Sequence, residues 1–206
     1  MTDHDIQAHW DGVYGRRSSD SVSWYEPHPT HSLELIAAAS PDRTSAIIDI
    51  GGGASLLVDR LLDQGYTDIT VLDVSDQALE LVRKRVGHGP ARLTLLCQDV
   101  TTFQAKRDYA LWHDRAVFHF LTTESARNHY VEALKRATIP GSHVVMATFG
   151  PEGPVRCSNL DTCRYDAASL ANALGDSFLL SQSSLVNHVT PGAANQQFLY
   201  ALFVRR

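Results

Sequence analysis

The stretch that most constrains this chain is residues 44–75. Ala46 to Ile50 is a short apolar run, the pattern of a parallel strand covered on both faces. Gly51-Gly52-Gly53 interrupts it. Leu56, Leu57, Leu61 and Leu62 then recur at helical spacing, and Gly65 ends that helix. Ile69 to Leu72 forms a second buried strand ending in Asp73. Strand, glycine turn, helix, strand make one βαβ unit, and its handedness is almost fixed in advance.

Such a unit implies a ligand. Glycines after the first strand let a ligand lie against the backbone, because no Cβ stands in the way. The following helix points free N–H groups and the positive end of its dipole at the same place. Asp73, at the carboxyl tip of the next strand, can accept both hydroxyls of a ribose. A nucleoside-containing cofactor is therefore expected. A dinucleotide site prefers a third glycine, and Leu56 stands where it would be. Asp49, two residues before Gly51, would repel a pyrophosphate and suit a cation. S-adenosylmethionine carries a sulfonium and an ammonium and no phosphate.

With 206 residues the chain is long enough for one domain with a substantial core and short for two. We expect residues 1–206 to form that domain, with 1–40 as an N-terminal arm and helix and 44–206 as the core. The net charge is −5 and the longest basic run is Arg83-Lys84-Arg85, which argues against nucleic acid as a partner. No stretch approaches ~18 uninterrupted apolar residues, so no membrane span is expected. The N-terminus lacks a basic-then-apolar export pattern. Cys97, Cys157 and Cys163 cannot all pair internally and are read as reduced thiols in a cytoplasmic protein. Their spacing is not a usual zinc arrangement, and no metal is expected.

Residues 4–14 read as a short helix, and the arm beyond it carries Trp10, Tyr14, Trp24 and Tyr25. These aromatics suit a lid over a cofactor or packing on the sheet, and both could hold. A helix follows at about 30–39, with Pro41 at its end. Ser75 is placed to cap another helix that stops at Gly87. Arg92 to Cys97 is the third strand, and Asp108 to Trp112 the fourth, running into His113-Asp114-Arg115. The fourth strand sits at the switch point of a doubly wound sheet, where the crevice opens. His113 there is a candidate general base or a satisfied core histidine. Asp114 could orient a substrate or hold a cofactor, and Arg115 could bind an anion or pair with Asp114. His119 could project into the pocket or cap the next helix. A helix at 124–137 and a strand at 142–149 follow. The loop from Gly150 to Asp161 is long enough to serve as a substrate lid. A helix at 166–174 comes next, then one strand made of 178–180 and 184–188, a turn, and a last strand at 197–204.

The set Asp49-x-Gly51-x-Gly53 with Asp73, and the closing hairpin, resemble the class I S-adenosylmethionine-dependent methyltransferases. The resemblance runs from Trp10 to Val204. It implies an α/β, Rossmann-like fold with a seven-stranded, mostly parallel sheet, a C-terminal antiparallel hairpin strand and helices on both faces. It also implies that an acid after the third strand, here Asp99, takes the adenine amino group. The cofactor residues expected are Trp10, Trp24, Asp49, Gly51, Gly52, Gly53, Asp73, Val74, Asp99, Val100 and Asp114. The catalytic residues expected are His113, Asp114 and Arg115. The arm His9-Trp10-Asp11 with Tyr14 and Trp24-Tyr25, and Gly65-Tyr66-Thr67-Asp68-Ile69 before Asp73, look like the lysine methyltransferases of elongation factors. Asp114-Arg115-Ala116 also resembles the thiopurine methyltransferase group. No Asn-Pro-Pro-Tyr or Pro-Cys motif of the DNA methyltransferases is present.

The expected reaction is in-line transfer of a methyl group to a small-molecule nucleophile, a thiol or other soft acceptor, leaving S-adenosylhomocysteine. A protein lysine is the alternative acceptor. A cofactor-binding protein that acts through partners is the non-catalytic alternative. Either a monomer or a homodimer is compatible with this reading.

Overall fold

The computed structural model describes residues 3–16, 18–39, 42–87 and 92–206. After helices α1 (Asp3–Arg16) and α2 (Thr30–Ala39), strands and helices alternate. They are β1 (Ile47–Ile50), α3 (Leu57–Asp63), β2 (Asp68–Asp73), α4 (Asp76–Val86), β3 (Arg92–Cys97), β4 (Leu111–Arg115), α5 (Glu124–Ala137) and β5 (His143–Phe149). A short hairpin, β6 (Arg156–Cys157) and β7 (Leu160–Asp161), precedes α6 (Ala167–Leu174), β8 (Phe178–Val189) and β9 (Asn195–Arg205). The seven-stranded sheet has the order β3-β2-β1-β4-β5-β9-β8. The strands β1 to β5 run parallel, and β9 is antiparallel to both β5 and β8. This is the expected Rossmann-like methyltransferase architecture.

Side chains alternate across a strand, so the central strands serve two cores. On one face Ile48, Ile50, Trp112 and Met146 join Phe118 and Tyr130. On the other, Ile47, Leu111 and Val145 join Ile36 of α2, and Leu57 and Leu61 of α3. The same alternation separates His113 from Asp114, a point that decides the roles of both below. Helix starts are capped as their sequences imply. Ser75 accepts from the Ala78 N–H at 3.2 Å, and Asp166 forms a reciprocal capping box with Ser169.

Three boundaries differ from the sequence reading. The fourth strand begins at Leu111 rather than Asp108, because the Tyr109 N–H is taken by the Ala137 carbonyl at the end of α5. The strand read from 178–180 and 184–188 also takes in residues 181–183, with a register shift between Leu180 and Gln182. The extra residue of a bulge masks the alternation that reveals a strand. The loop at 150–161 contains the β6–β7 hairpin, whose turn residues Ser158 and Asn159 both have positive φ. The stop expected at Pro41 lies outside the described residues.

Candidate active site

The strand order reverses between β1 and β4, and a cleft opens at their carboxyl ends. Gly51 begins the turn there with φ +61°, and its N–H bonds to the Leu72 carbonyl at 2.7 Å. A Cβ at Gly51 would fall on the Val117 side chain. At Gly53, φ +44°, a Cβ would come within 2.8 Å of the Tyr14 hydroxyl and 2.9 Å of Asp73 Oδ2. The absence of side chains thus keeps the cradle open beside Asp73.

One wall of the cleft comes from the strand ends on that side: Gly51, Asp73, Val74, Asp99 and Val100. Asp73 is buried, and its Oδ1 accepts the Ser75 N–H at 2.8 Å. Burial pushes its carboxyl up to about 7, with Asp49 and Asp11 adding negative charge nearby. Asp99 caps the 3₁₀ turn at Val100–Thr102, its Oδ1 accepting from the Thr101 N–H at 2.7 Å and hydroxyl at 2.6 Å. Asp73 also accepts from the Gly53 backbone N–H, which ties it to the glycine turn.

The roof is the N-terminal arm. Trp10 packs edge-on against Trp24 (5.7 Å between ring centres) and Phe120 (5.3 Å), and Tyr14 against Trp24 (6.3 Å). Asp11 anchors this helix, its Oδ1 accepting from the Ser75 hydroxyl at 2.7 Å and the Gln77 N–H at 3.3 Å. The aromatics of the arm thus pack on one another and line the cleft. The far wall consists of His119, Phe149, Cys157, Gln196 and Phe198, Arg115 also lines the cleft, and its free volume is about 150 Å³.

His113 is not placed as a base. It is buried, with Nδ1 2.6 Å from Asp49 Oδ1 and Nε2 2.9 Å from the Ser32 hydroxyl. Neither ring nitrogen is left for a substrate proton. Period-2 alternation points the ring to the α2 side, where Asp49 is its register partner on β1. Asp49 is correspondingly committed to His113. It lies under Gly52, where a Cβ would come 2.5 Å from its Oδ2, and it does not line the large cleft.

Asp114 is also placed differently from either expected role. It is fully buried on the α5 side, accepting from the Val117 N–H at 3.0 Å and from the Tyr130 hydroxyl at 2.6 Å. Burial raises its carboxyl to about 6, against the lowering effect of those hydrogen bonds. It does not line the cleft. Its place as a buried clamp explains the positive φ (+72°) of Ala116, where the chain doubles back over it.

Arg115 does not pair with Asp114, since neighbours in a strand face opposite ways. It pairs with Glu26 at 3.0 Å, donates to the Tyr200 hydroxyl at 2.9 Å and to the Trp24 carbonyl at 2.8 Å, and lies over the Phe198 ring. Its work is to pin the aromatic arm to β9.

Sequence reasoning did not assign Phe149, Gln196 or Phe198 to the cleft, named Tyr14 only as an arm aromatic, and left His119 open between the pocket and a cap. Tyr14 and Asp11 were visible inside the arm. Phe149 and Phe198 meet only because β5 and β9 pair them, with ring centres 4.9 Å apart. No pattern in the chain order announces that pairing.

S-adenosylmethionine fits this donor set. The acids near the glycine turn, Asp11, Asp49 and Asp73, suit a cationic cofactor. No lysine lines the cleft, and its single arginine is already bonded to the protein. Asp73 could hold the ribose, Asp99 with Val74 and Val100 the adenine, and the Gly51–Gly53 backbone the amino-acid end. Among the described residues no group of histidines, cysteines or acids could hold a metal ion, and the cysteines are free thiols. No helix among the described residues is long and apolar enough to cross a membrane.

Residues 47–141 match the family model described as a methyltransferase domain. Zebrafish (Danio rerio) EEF1A lysine methyltransferase 2 is 23% identical over 155 residues, which are 68% of this chain and 66% of that protein. The chain thus spans just under two thirds of that relative. Among solved structures, one described for the conversion of a disulfide bond into a thioacetal group during echinomycin biosynthesis superposes with a TM-score of 0.75. It is 18% identical and covers 97% of this chain and 92% of its own. The 1,6-didemethyltoxoflavin-N1-methyltransferase of Burkholderia thailandensis, bound to 1,6-didemethyltoxoflavin and S-adenosylhomocysteine, gives a TM-score of 0.71 at 16% identity. It covers 100% of this chain and 91% of that one. Residues 47–141 hold the glycine turn and both flanking acids, so this part of the chain matches a methyltransferase domain, and the sheet order around it is that of a Rossmann-like methyltransferase fold.

Proposed function

We propose that the chain transfers the methyl group of S-adenosylmethionine to a small-molecule nucleophile by in-line displacement. The observation that carries this reading is the aromatic lining of the cleft. Trp10, Trp24 and Phe120 pack edge-on together over it, with Phe149 and Phe198 on the far wall, and such a lining suits a compact, flat acceptor. The bound cofactor supplies a methyl group that is already activated. The protein's share is then proximity, alignment and exclusion of water. Asp73, Asp99 and the Gly51–Gly53 backbone hold one end, and the arm closes the other.

The side chains of the cleft also constrain the acceptor. His113 has both nitrogens engaged and Asp114 lies outside the cleft, so neither removes a proton. Tyr14 is pushed upward by burial and by Asp73. An acceptor that brings its own lone pair or ionises readily near neutrality is favoured, and a thiol, with a reference pKa near ~8.5, meets that condition. A lysine acceptor is the second reading. Its support is the likeness to the zebrafish lysine methyltransferase.

The test uses cofactor labelled in its methyl group, incubated with the protein and host extract. Small molecules and macromolecules are then separated. Label in the small-molecule fraction is the expected result. Label on a protein band would replace this reading with the lysine one. Cofactor binding without transfer to either fraction would favour a binder that acts through partners.

A further inference from the structure

Among the described residues, the cleft-lining His119 Nε2 and Gln196 Oε1 are buried without a hydrogen-bond partner, while Arg115 Nη2 meets only the Glu26 carboxylate. His119 is fully buried at the far wall. Its ring stacks on Phe149 with centres 4.3 Å apart and meets Phe120 edge-on at 4.6 Å, so its plane is held from two sides. The Phe149 backbone N–H donates to Nδ1 at 3.1 Å. That bond fixes the tautomer: Nδ1 accepts, so the proton of the neutral ring sits on Nε2. Burial and the nearby Arg115 cation push the ring down to about 3, which keeps it neutral near pH 7. His119 is thus a donor with no acceptor. A buried donor left unsatisfied costs ~1–3 kcal/mol, and such a group in a native cleft calls for a ligand atom.

Gln196 stands on the same wall. It lies two residues before Phe198 on β9, hence on the same face of the strand, and the Phe198 ring is 6.5 Å from that of His119. Its free carbonyl oxygen is an acceptor. A donor and an acceptor set in an aromatic wall match a flat ring whose edge offers an acceptor beside a donor, as a cyclic amide does.

We propose that His119 and Gln196 determine acceptor specificity by hydrogen-bonding the edge of a planar, uncharged heterocycle of cyclic-amide type, with His119 Nε2–H as donor and Gln196 Oε1 as acceptor. This rests on the small-molecule reading above and names its substrate class. It also removes His119 as a general base, because its only free nitrogen already carries a proton. Packing against the partly exposed rings of Trp10, Trp24 and Phe120 supplies the rest of the recognition.

The test uses 2-quinolone as probe and naphthalene, the same shape without the polar edge, as control. Both are titrated into the protein with and without S-adenosylhomocysteine. In long-range proton–nitrogen spectra of histidine-labelled protein, His119 should appear as the Nε2–H tautomer, and 2-quinolone should shift that signal. Calorimetry should give at least tenfold tighter binding of 2-quinolone than of naphthalene. His119→Asn should erase the preference while keeping the fold, since its side-chain oxygen can still accept the Phe149 N–H. His119→Gln, which reaches further with an amide donor, should restore part of it. A purely structural role predicts the reverse order of the two variants, with no probe-dependent shift. An Nδ1–H tautomer, equal binding of the two probes, or a preference that survives in His119→Asn would each overturn the proposal. Cofactor-product binding is read in the same titrations, so a failure of the methyltransferase reading shows as lost S-adenosylhomocysteine affinity and is distinguished from a failure at His119.

Discussion

Asp73 carries the most consequential charge in the molecule. Its carboxyl is pushed up to about 7 in the folded, cofactor-free protein, against an ordinary value near 3.8, because it is buried among acids. The sign follows from linkage. Between the two values the folded state holds a proton that the unfolded state has lost, so the residue's contribution to stability falls as pH rises from about 4 through about 7. Asp73→Asn does not titrate. Its stability relative to wild type, measured by urea unfolding without cofactor, should therefore increase from pH 5 to pH 8. A flat difference would contradict the raised value. Cofactor binding should run the other way. Asp73→Ala should weaken S-adenosylhomocysteine binding by ~1–3 kcal/mol, the scale of a lost hydrogen bond to a charged group, and unchanged affinity by calorimetry would remove Asp73 from the ribose. Asp114 makes the opposite comparison. Since it clamps Val117 and Tyr130 and does not line the cleft, Asp114→Asn should cost ~1–3 kcal/mol of stability with cofactor affinity unchanged. Loss of turnover at full stability would return it to the reaction. Both aspartates read alike in the sequence, as acids at strand ends. What separates them is which face of the sheet each side chain takes.

Among the elements, the first helix is the one whose role depends most on contact. It is only partly apolar, and it docks through Asp11 on the start of α4 and through Trp10 on Trp24 and Phe120. Each ring pair contributes ~0.5–1.5 kcal/mol beyond the area it buries. Trp10→Ala removes both pairs that tie the helix to other segments. It should loosen the roof and weaken cofactor binding several-fold, and it should speed proteolysis within residues 3–16, with the strands untouched. Equal proteolysis rates with and without the substitution would show that the helix is held without its ring contacts. The βαβ unit, by contrast, was legible from sequence because its signals are local: an apolar run, a glycine turn, leucines at helical spacing. The closing hairpin was legible as well, but the bulge in β8 hid residues 181–183 of its first strand, since one extra residue breaks the period of two.

At the scale of the whole molecule, a ligand that binds only the folded state must stabilise it. S-adenosylhomocysteine at a hundred times its dissociation constant should add ~2.7 kcal/mol. For a chain of this size that is a rise in melting temperature of roughly 5–11 °C. No shift at saturating ligand would count against the cleft as the cofactor site. The sequence alone determined the fold class and the kind of ligand, because a parallel sheet with a glycine turn and two strand-end acids is written in short-range patterns that few architectures satisfy. It also placed Asp73, Asp99 and the glycines at one edge. Only the tertiary structure decided that His113 is spent on Asp49 and Ser32, that Asp114 is a clamp, that Arg115 holds the arm, and that His119 faces the cleft with a bound proton and no partner. Those outcomes depend on which side chains from distant segments meet across strands and over the roof. Such partnerships come from pairing between β1, β4, β5 and β9 and from a helix laid over them, and periodicity within any one segment does not specify them.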